Sequence, residues 1–478
     1  MGSFAHMVGR VTARRLYAPD IDFAAVRTAL ELPGDYPAEA LEEARQATDR
    51  LPDGRVDHTD IPFVTIDPAT SMDLDQAIHV VRDGKNFVLQ YAIADVAALV
   101  TPGGALDTES RRRGQTVYLP DGSIPLHPRE LSEAAGSLLP DQVRAAALWR
   151  IVIDSDGTVL DVDVSRALVK SVAKLNYSGV QADADAGRLH PSIAALPDFG
   201  ELRAQVAVDR GAIELRLPAQ DVVHEDDGWR LVVEPRTRAD MWNSQASLLT
   251  GMCAGKIMRD NKVGLLRTLP PVTEPAVEKL RASARTLGMD WPAGISASKV
   301  LAELDPAKPQ TLALMSDATA LLRGADYLAM DGTIAADAVT EHGGIAGVYA
   351  HVTAPLRRLA DRFATECCLA LTSGRPVPDW VTVALPELPK LMRASDSLAN
   401  KAERQCIDLA EATLLRDQLG QRFPAVVLHE RRGERPAQVF IEDPAVIADC
   451  AGDPAEGSAV TVTLSEVTVE PPRVSFSA

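Results

Sequence analysis

The 478-residue sequence contains no apolar run near the ~20 residues that a membrane-spanning helix needs, and no secretory leader is visible. Its five cysteines form no CxxC pair, which argues against a zinc site and is typical of a reducing compartment. Basic residues are also few, 49 against 67 acidic ones, so the formal net charge is −18. Such a chain is not expected to coat nucleic acid non-specifically. We therefore expect a cytoplasmic protein, with any nucleic-acid contact made by a local basic channel.

An acidic loop between two apolar runs is the most informative stretch of the chain. The runs at 63–66 and 77–80 are rich in β-branched residues, and the loop between them carries Asp67, Asp73 and Asp75. Asp73 and Asp75 are two positions apart, so they project from the same face of an extended chain. The turn-rich residues before them can fold Asp67 back toward this pair.

Three carboxylates brought together without a cation repel one another. Two unit charges about 4 Å apart at an effective dielectric near 20 interact by about 4 kcal/mol. A hard divalent ion removes this repulsion, because Mg²⁺ takes oxygen ligands and keeps waters for a phosphate substrate. The alternative is a solvated acidic loop. The flanking apolar strands favour the metal site, since they hold the acids beside a core.

This stretch resembles the signature of the ribonuclease II/R family, the RNB-domain 3′→5′ exoribonucleases. The family has TID, a short spacer and DLDD, and this chain has TID at 65–67 and DLD at 73–75. It departs at the fourth acidic position, where Gln76 stands instead of aspartate. The resemblance implies one or two Mg²⁺ ions, or Mn²⁺ in their place. The metal ligands that it implies are Asp67, Asp73, Asp75 and, through a neutral carbonyl oxygen, Gln76.

A second motif, YAHVTAPLRRLAD at 349–361, resembles the family's YAHFTSPIRRYxD. Arg357 and Arg358 are predicted to open a helix just after Pro355, since proline is tolerated in a first helical turn. Guanidinium groups beside a helix N-terminus suit phosphate oxygens. The alternative is structural Arg–Asp pairing, for example with Asp361.

Three further blocks resemble the family and occur in its order along the chain: 106–140, 210–255 and the segment around residue 403. The block at 106–140 resembles RG-x-SVYLP and IPMLP-x-LS and places Tyr118 where the family stacks an aromatic ring on a base. The alternative for Tyr118 is a side chain packed in a β core. In the block at 210–255, Leu215 falls on the family's second stacking aromatic. Leu215 offers apolar contact without the ~1–3 kcal/mol per base that stacking contributes.

The remaining correspondences are polar. The family's glutamate pair near the start of a long helix falls on Ser244 and Gln245. Glu403 lies in a match to the family's AER and is expected to line the RNA path. That segment, 394–419, is predicted to be one helix with a core-facing stripe ending at Leu419.

The sequence predicts an α+β fold in which an RNB catalytic module of mixed sheets and helices precedes a small OB-type barrel. The expected divisions are a cloning scar at 1–7, a short helical region at 8–60, the catalytic module at 61–421 and a shortened S1-like barrel at 422–478. Two helices are expected between residues 23 and 47, broken at Pro33-Gly34. Too few residues precede the module for the family's cold-shock barrels, so we expect these to be absent.

The C-terminal barrel is expected from short β-branched runs separated by glycine and proline. The predicted strands are 426–428, 438–441, 459–464 and 474–476. From residue 422 onward the chain has five arginines, no lysine and nine acidic residues, a net charge of −4. The barrel is therefore a poor electrostatic anchor for RNA.

Together the resemblances imply a Mg²⁺-dependent 3′→5′ exoribonuclease that degrades single-stranded RNA to 5′-nucleoside monophosphates. Arg357 and Arg358 would bind RNA and neutralise charge on the reacting phosphate, and Arg357 would be catalytic together with the acids. One alternative is an RNB-fold RNA-binding protein with weakened catalysis, because Gln76, Leu215 and the 244–245 pair depart from the family. Another is a phosphodiesterase that also acts on DNA. Single-stranded RNA is the expected partner, with no membrane contact and no obligate protein partner evident.

Overall fold

The computed structural model describes residues 16–233 and 236–478. The segment 1–7, expected to be a cloning scar, lies outside these residues, as does the start of the region expected at 8–60. Within the described ranges no helix is both long enough and apolar enough to cross a bilayer.

The α-helices of the described residues are α1 (Phe23–Ala29), α2 (Ala38–Arg45), α3 (Val96–Leu99), α4 (Ala105–Arg113), α5 (Tyr177–Asp185), α6 (Leu196–Arg210), α7 (Arg238–Asn261), α8 (Glu274–Thr286), α9 (Ala297–Glu303), α10 (Pro309–Ala318), α11 (Leu359–Thr372), α12 (Asp379–Ala384) and α13 (Leu388–Leu415). A π-helical turn occupies Leu131–Ala135, and 3₁₀ turns occupy Pro191–Ile193 and Thr319–Leu322. The two N-terminal helices, α1 and α2, are confirmed on either side of Pro33-Gly34.

The strands are β1 (Val56–Asp57), β2 (Phe63–Ile66), β3 (Gln76–Asp83), β4 (Asn86–Ala94), β5 (Val117–Leu119), β6 (Gly122–Ile124), β7 (Val143–Ile153), β8 (Val159–Leu175), β9 (Gln220–Glu225), β10 (Gly228–Val233), β11 (Val263–Thr268), β12 (Asp326–Asp331), β13 (Arg422–His429), β14 (Ala437–Ile441), β15 (Val446–Ala451), β16 (Ala459–Val469) and β17 (Pro472–Ser477). The mixture of helices and sheets confirms the predicted α+β class.

The main sheet has the strand order β1-β8-β2-β3-β4-β7, and the 17-residue β8 also pairs with β7. Each of β2, β3, β4, β7 and β8 is therefore bonded on both sides. The dipeptide Asp83-Gly84 is typical of a hairpin turn. Strands β3 and β4 form that hairpin, with Asp83 opposite Asn86 and Gly84 at φ 60° in the turn. All four residues of β2 are buried, which explains its unbroken β-branched and aromatic sequence.

Helix α7 packs against α6, α11 and β11 and approaches the 349–354 segment closely. It begins with a reciprocal cap, in which the Thr237 side chain accepts from Asp240 N and the Asp240 side chain accepts from Thr237 N. A Cβ atom at Gly251 would lie 2.2 Å from the Tyr349 ring, so only glycine fits there. This close contact fixes the first residues of the second motif.

The C-terminal strands form a closed barrel in the order β13-β14-β15-β17-β16. The predicted barrel is confirmed, and it contains a strand, β15, that the sequence pattern did not indicate. Its core is continuous with buried residues of α1, β10 and α13, including Ala402 and Leu415. Helix α13 begins at Leu388, earlier than expected, and ends before Leu419. The Leu419 side chain is 62% exposed, so its assignment to the core stripe was wrong.

Candidate active site

The acidic loop connects β2 to β3 at one end of the main sheet. Ser137, from the segment after the π-helical turn, holds it in place. The Ser137 hydroxyl accepts from Leu74 N at 3.0 Å and donates to Met72 O at 2.6 Å. Leu138 N donates to Leu74 O at 3.0 Å. The carboxylates are therefore presented by an anchored loop.

Asp75 joins the acidic loop to the second motif. Its side chain is 3% exposed. The Oδ1 atom accepts from Leu356 N at 2.7 Å, and Oδ2 accepts from Arg357 Nε at 3.3 Å. Burial raises the pKa of Asp75 to about 8, although Arg357 and the Leu356 amide act in the opposite direction. Residues about 280 positions apart thus form one contact between a buried carboxyl group and a half-exposed guanidinium.

The two arginines of the second motif have different surroundings. The Arg357 side chain is 46% exposed beside Asp75 and can also reach a ligand. Arg358 instead forms two hydrogen bonds with the fully buried Asp361, the structural pairing that the sequence left open. The expectation that both open a helix was wrong, because α11 begins at Leu359 and Arg358 occupies its N-cap position.

Tyr118 lies on β5, in a segment that is bonded directly to the second motif. Thr116 N donates to Arg357 O at 2.9 Å, and Leu359 N donates to Gly114 O at 2.9 Å. The Tyr118 side chain is 54% exposed, which excludes the alternative of a ring packed in a β core. Its hydroxyl makes a long hydrogen bond of 3.4 Å to Asp73 Oδ2. An accessible aromatic face therefore stands beside the carboxylates.

Asp67 follows β2 and is fixed by its main chain, since Asp67 N donates to Leu175 O at 3.2 Å. Its Oδ2 atom is buried and has no hydrogen-bond partner. Burial raises the pKa of Asp67 to about 6, and the charge of Asp73 adds to that rise. An unpartnered buried carboxylate oxygen is costly unless a cation or a donor group reaches it.

Gln76 opens β3, and its carbonyl oxygen already has two partners. The Tyr91 hydroxyl donates to Gln76 Oε1, and the Ser247 hydroxyl lies 3.3 Å from the same oxygen. The two hydroxyls are 2.8 Å apart. This atom, the one expected to ligate a metal, is therefore held by β4 and α7.

A preformed three-carboxylate cluster is not found. In the two described ranges, no group of three or more His, Cys, Asp and Glu side chains is arranged to hold a metal ion. Asp67 and Asp73 nevertheless fit Mg²⁺, which is commonly held by one or two carboxylates together with waters and substrate phosphate. The unpartnered Asp67 oxygen supports that fit.

The chain matches the RNB domain over residues 55–367 and the RNase II-type exonuclease C-terminal S1 domain over residues 421–478. It belongs to the RNB family. Among curated relatives, it is 30% identical to Exoribonuclease 2 of Enterobacter sp. (strain 638) over 438 residues, or 83% of this chain and 64% of the relative. It is also 30% identical to Exoribonuclease 2 of Escherichia coli (strain UTI89) over 413 residues, or 81% and 62%. The chain thus spans less than two thirds of these relatives.

Solved RNB structures share the fold. RNase R of Mycoplasma genitalium, in complex with ribose-methylated single-stranded RNA, superposes with a TM-score of 0.84 over 95% of this chain and 77% of that one, at 19% identity. Yeast Ssd1, described as a pseudonuclease, superposes with a TM-score of 0.68 over 87% and 52%, at 16% identity. At these identities the likeness establishes the fold alone.

The other RNB positions predicted from sequence lie outside this cluster of contacts. Leu215 is half-buried against the apolar side chains of α8 and α10. Glu403 is exposed on α13. Ser244 is exposed and donates to Met241 O at 2.8 Å, whereas Gln245 is buried. The roles of Leu215 and Glu403 in binding RNA remain predictions.

Several side chains at the site were not anticipated. Tyr91, Ser137 and Ser247 hold Gln76 and the acidic loop, as described above. Tyr177 lies at the start of α5 and is hydrogen-bonded to Asn243. Burial raises the pKa of the Tyr177 hydroxyl, and the nearby carboxylate of Asp67 raises it further. Asn176, which caps α5 by accepting from Gly179 N at 2.8 Å, was a sequence signal for this helix start. No sequence spacing connects α7 to the acidic loop.

Proposed function

We propose that this chain is a Mg²⁺-dependent 3′→5′ exoribonuclease that degrades single-stranded RNA to 5′-nucleoside monophosphates in the cytoplasm. One observation carries the proposal: the Asp75–Arg357 ion pair, which brings the acidic loop and the arginine motif into one site. A buried carboxylate facing a half-exposed guanidinium suits a reaction at a phosphate group. Membership in the RNB family and the resemblance to Exoribonuclease 2 agree with this chemistry.

Each residue then has a separate task. Arg357 binds a non-bridging phosphate oxygen and neutralises charge as the phosphodiester is attacked. Tyr118 offers its exposed ring face to the terminal base and so aligns the scissile phosphate. Asp67 and Asp73 would hold Mg²⁺, and the bound ion would supply an activated water and charge stabilisation for the leaving 3′ oxygen. Asp75 orients Arg357 and polarises the attacking water.

A second candidate function is RNA binding with weak catalysis. The specific observation in its favour is Gln76, whose carbonyl oxygen is engaged by Tyr91 and Ser247 and which lacks the charge of the family's aspartate. A third candidate is a phosphodiesterase that also cuts DNA, since no residue of the site is assigned to the ribose 2′-hydroxyl.

One experiment separates the three functions. RNA and DNA oligomers of the same sequence, each carrying a 5′ label, are incubated with the protein in Mg²⁺ or in EDTA. The proposal predicts progressive shortening of RNA from its 3′ end, release of 5′-monophosphates and no shortening in EDTA. Equal shortening of DNA would support the phosphodiesterase. Retention of RNA on a native gel without shortening at any Mg²⁺ concentration would show a binding protein and overturn the proposal.

A further inference from the structure

Few side-chain oxygen atoms of the acidic loop are available to bind a metal ion, because hydrogen bonds already engage several of them. Both Asp75 oxygens accept hydrogen bonds, from Leu356 N and Arg357 Nε. The Gln76 carbonyl oxygen accepts from Tyr91 and Ser247. Two carboxylates are left with little engagement, Asp67 with its unpartnered Oδ2 and Asp73 with its single long bond from Tyr118.

Gln76 also lowers the negative charge at the site by one unit relative to an aspartate. Rotating its carbonyl toward a cation would break its hydrogen bonds to two hydroxyls on separate elements, β4 and α7. The loss of each such bond costs about 1 kcal/mol, and the contact between the two hydroxyls at 2.8 Å replaces only one of the two. The structure therefore favours an anchored Gln76 over a ligating one.

Two carboxylates and water form an incomplete set for Mg²⁺, which commonly completes its coordination with substrate phosphate oxygens. An RNA phosphate at Arg357 would bring such oxygens beside Asp67 and Asp73. The same phosphate would repel these carboxylates if no cation lay between them. A bound metal ion should therefore increase the affinity for RNA at this site, and bound RNA should increase the affinity for the metal ion.

Building on the proposed function, we propose that the free protein binds its divalent ion weakly and that the ion is taken up together with the RNA phosphate, because Gln76 serves as an anchored positioning residue and not as a fourth ligand. By thermodynamic linkage, the factor by which RNA tightens metal binding equals the factor by which metal tightens RNA binding. The full chain can test both halves of this statement without any measurement of activity.

The test uses Mn²⁺, detected by electron paramagnetic resonance, with the intact protein. Its affinity is measured alone, with an RNA whose 3′-terminal linkage is a hydrolysis-resistant phosphorothioate, and with the same RNA carrying an uncharged methylphosphonate there. We expect the phosphorothioate RNA to tighten Mn²⁺ binding at least ~10-fold, which corresponds to about 1.4 kcal/mol of coupling. The methylphosphonate RNA should have little effect. RNA affinity, measured by fluorescence anisotropy with and without Mn²⁺, should change by the same factor.

Gln76→Asp is the decisive variant. It restores a charged ligand, so Mn²⁺ binding to the free protein should tighten at least ~10-fold and its dependence on RNA should shrink. Gln421→Asp, which adds the same charge at an exposed position just before β13, is the matched control and should behave as the wild type. Tight Mn²⁺ binding to the free wild-type protein, unaffected by phosphorothioate RNA, would overturn the proposal. So would a Gln76→Asp variant with wild-type affinity. If the coupling is present but RNA is never hydrolysed in Mg²⁺, the exoribonuclease assignment fails while this inference stands.

Discussion

At the scale of single residues, the side chain of Asp75 is the most sensitive point of the site. Asp75→Asn keeps the shape of the side chain and an acceptor for Leu356 N, but it replaces the oxygen that accepts from Arg357 Nε with an amide nitrogen that cannot accept. We predict a folded protein whose RNA hydrolysis falls by roughly 1,000-fold, within the range seen when one preorganised electrostatic group is removed. Single-turnover decay of labelled RNA measures the loss, and circular dichroism checks the fold.

Asp198→Asn is the matched control for this substitution, because Asp198 is an exposed carboxylate paired with Arg82 on the surface. It should retain the wild-type rate. A well-folded Asp75→Asn protein with most of its activity would refute the role given to Asp75.

The raised pKa values of the acids predict how stability depends on pH. Burial raises the pKa of Asp75 to about 8 and of Asp67 to about 6, above the ~3.9 of an unfolded aspartate. The folded state therefore holds more protons than the unfolded state between these values. The stability contributed by the protonated acids is complete below pH ~4 and is lost as the pH rises through 6 and 8.

Melting temperatures in EDTA should accordingly fall between pH 5 and pH 8.5. Asp75→Asn should reduce the slope across the whole interval from pH ~4 to pH 8, which separates the unfolded and folded pKa values of Asp75. Glu411, whose pKa burial raises to about 7, contributes equally to both proteins and cancels in the comparison. Parallel curves for the wild type and the variant would contradict the assignment.

Local sequence places the three acids on one loop between two strands, but it does not show their partners. Asp67, Asp73 and Asp75 follow from alternation and from the turn between two apolar runs. The engagement of Gln76 by Ser247 depends on a helix 171 positions away, so no local pattern could contain it. The pairing of Arg358 with Asp361 shows the reverse case, since a three-residue spacing had already suggested that alternative.

At the scale of secondary-structure elements, the contact between α7 and the 349–354 segment positions the arginine motif. A Cβ added at Gly251 would lie 2.2 Å from Tyr349 Cε2 and 2.6 Å from Ala350 O. Gly251→Ala should therefore destabilise the protein by about 1–3 kcal/mol, the usual cost of overpacking, and should lower kcat by displacing Arg357. Urea denaturation and steady-state kinetics measure the two effects.

Gly34→Ala provides the comparison for this substitution, because nothing lies within 4 Å of the Cβ it would add. It should leave both stability and kcat near wild type. If Gly251→Ala has the same urea midpoint as the wild type, the contact with α7 does not fix the position of the 349–354 segment.

Elements with strong periodicity were predictable, and those defined by long-range pairing were not. The β3–β4 hairpin and helices α1 and α2 followed from turn residues and helical spacing. Strand β15 was missed because its residues, VIADCA, mix polar and small apolar side chains, and barrel closure decides their conformation. Leu419 continued the apolar spacing of α13, yet the helix ends before it and the side chain stays in solvent.

At the scale of the whole molecule, charge limits how RNA is held. The net charge is −18, and the C-terminal barrel is itself acidic. Few phosphates should be neutralised, so log affinity should fall by only about 0.7 per log unit of salt for each phosphate contact. We predict a shallow salt dependence and distributive decay. Anisotropy titrations across salt concentrations measure the first, and decay of labelled RNA under an unlabelled RNA trap measures the second.

Removing the barrel would not test this prediction, because its core is continuous with α1 and α13 and truncation would expose that core. Charge reversal at Arg431, exposed on the barrel, leaves the core intact and should change RNA affinity little. A steep salt dependence of RNA affinity, or complete decay of one RNA molecule despite the trap, would show that most RNA contacts lie outside the catalytic module.

The central claim is that two segments about 280 positions apart form one catalytic unit through Asp75 and Arg357. A double-mutant cycle on the single-turnover rate tests it most directly, with Asp75→Asn, Arg357→Gln and both together. The account predicts strong non-additivity: the double variant should be no more than about 10-fold slower than the slower single variant, as for groups that act as a unit. Arg393→Gln, at an exposed arginine paired with Asp326, is the control and should add nothing to Asp75→Asn. If the losses of Asp75→Asn and Arg357→Gln simply multiply, the two residues act independently and the account of a joined site is wrong.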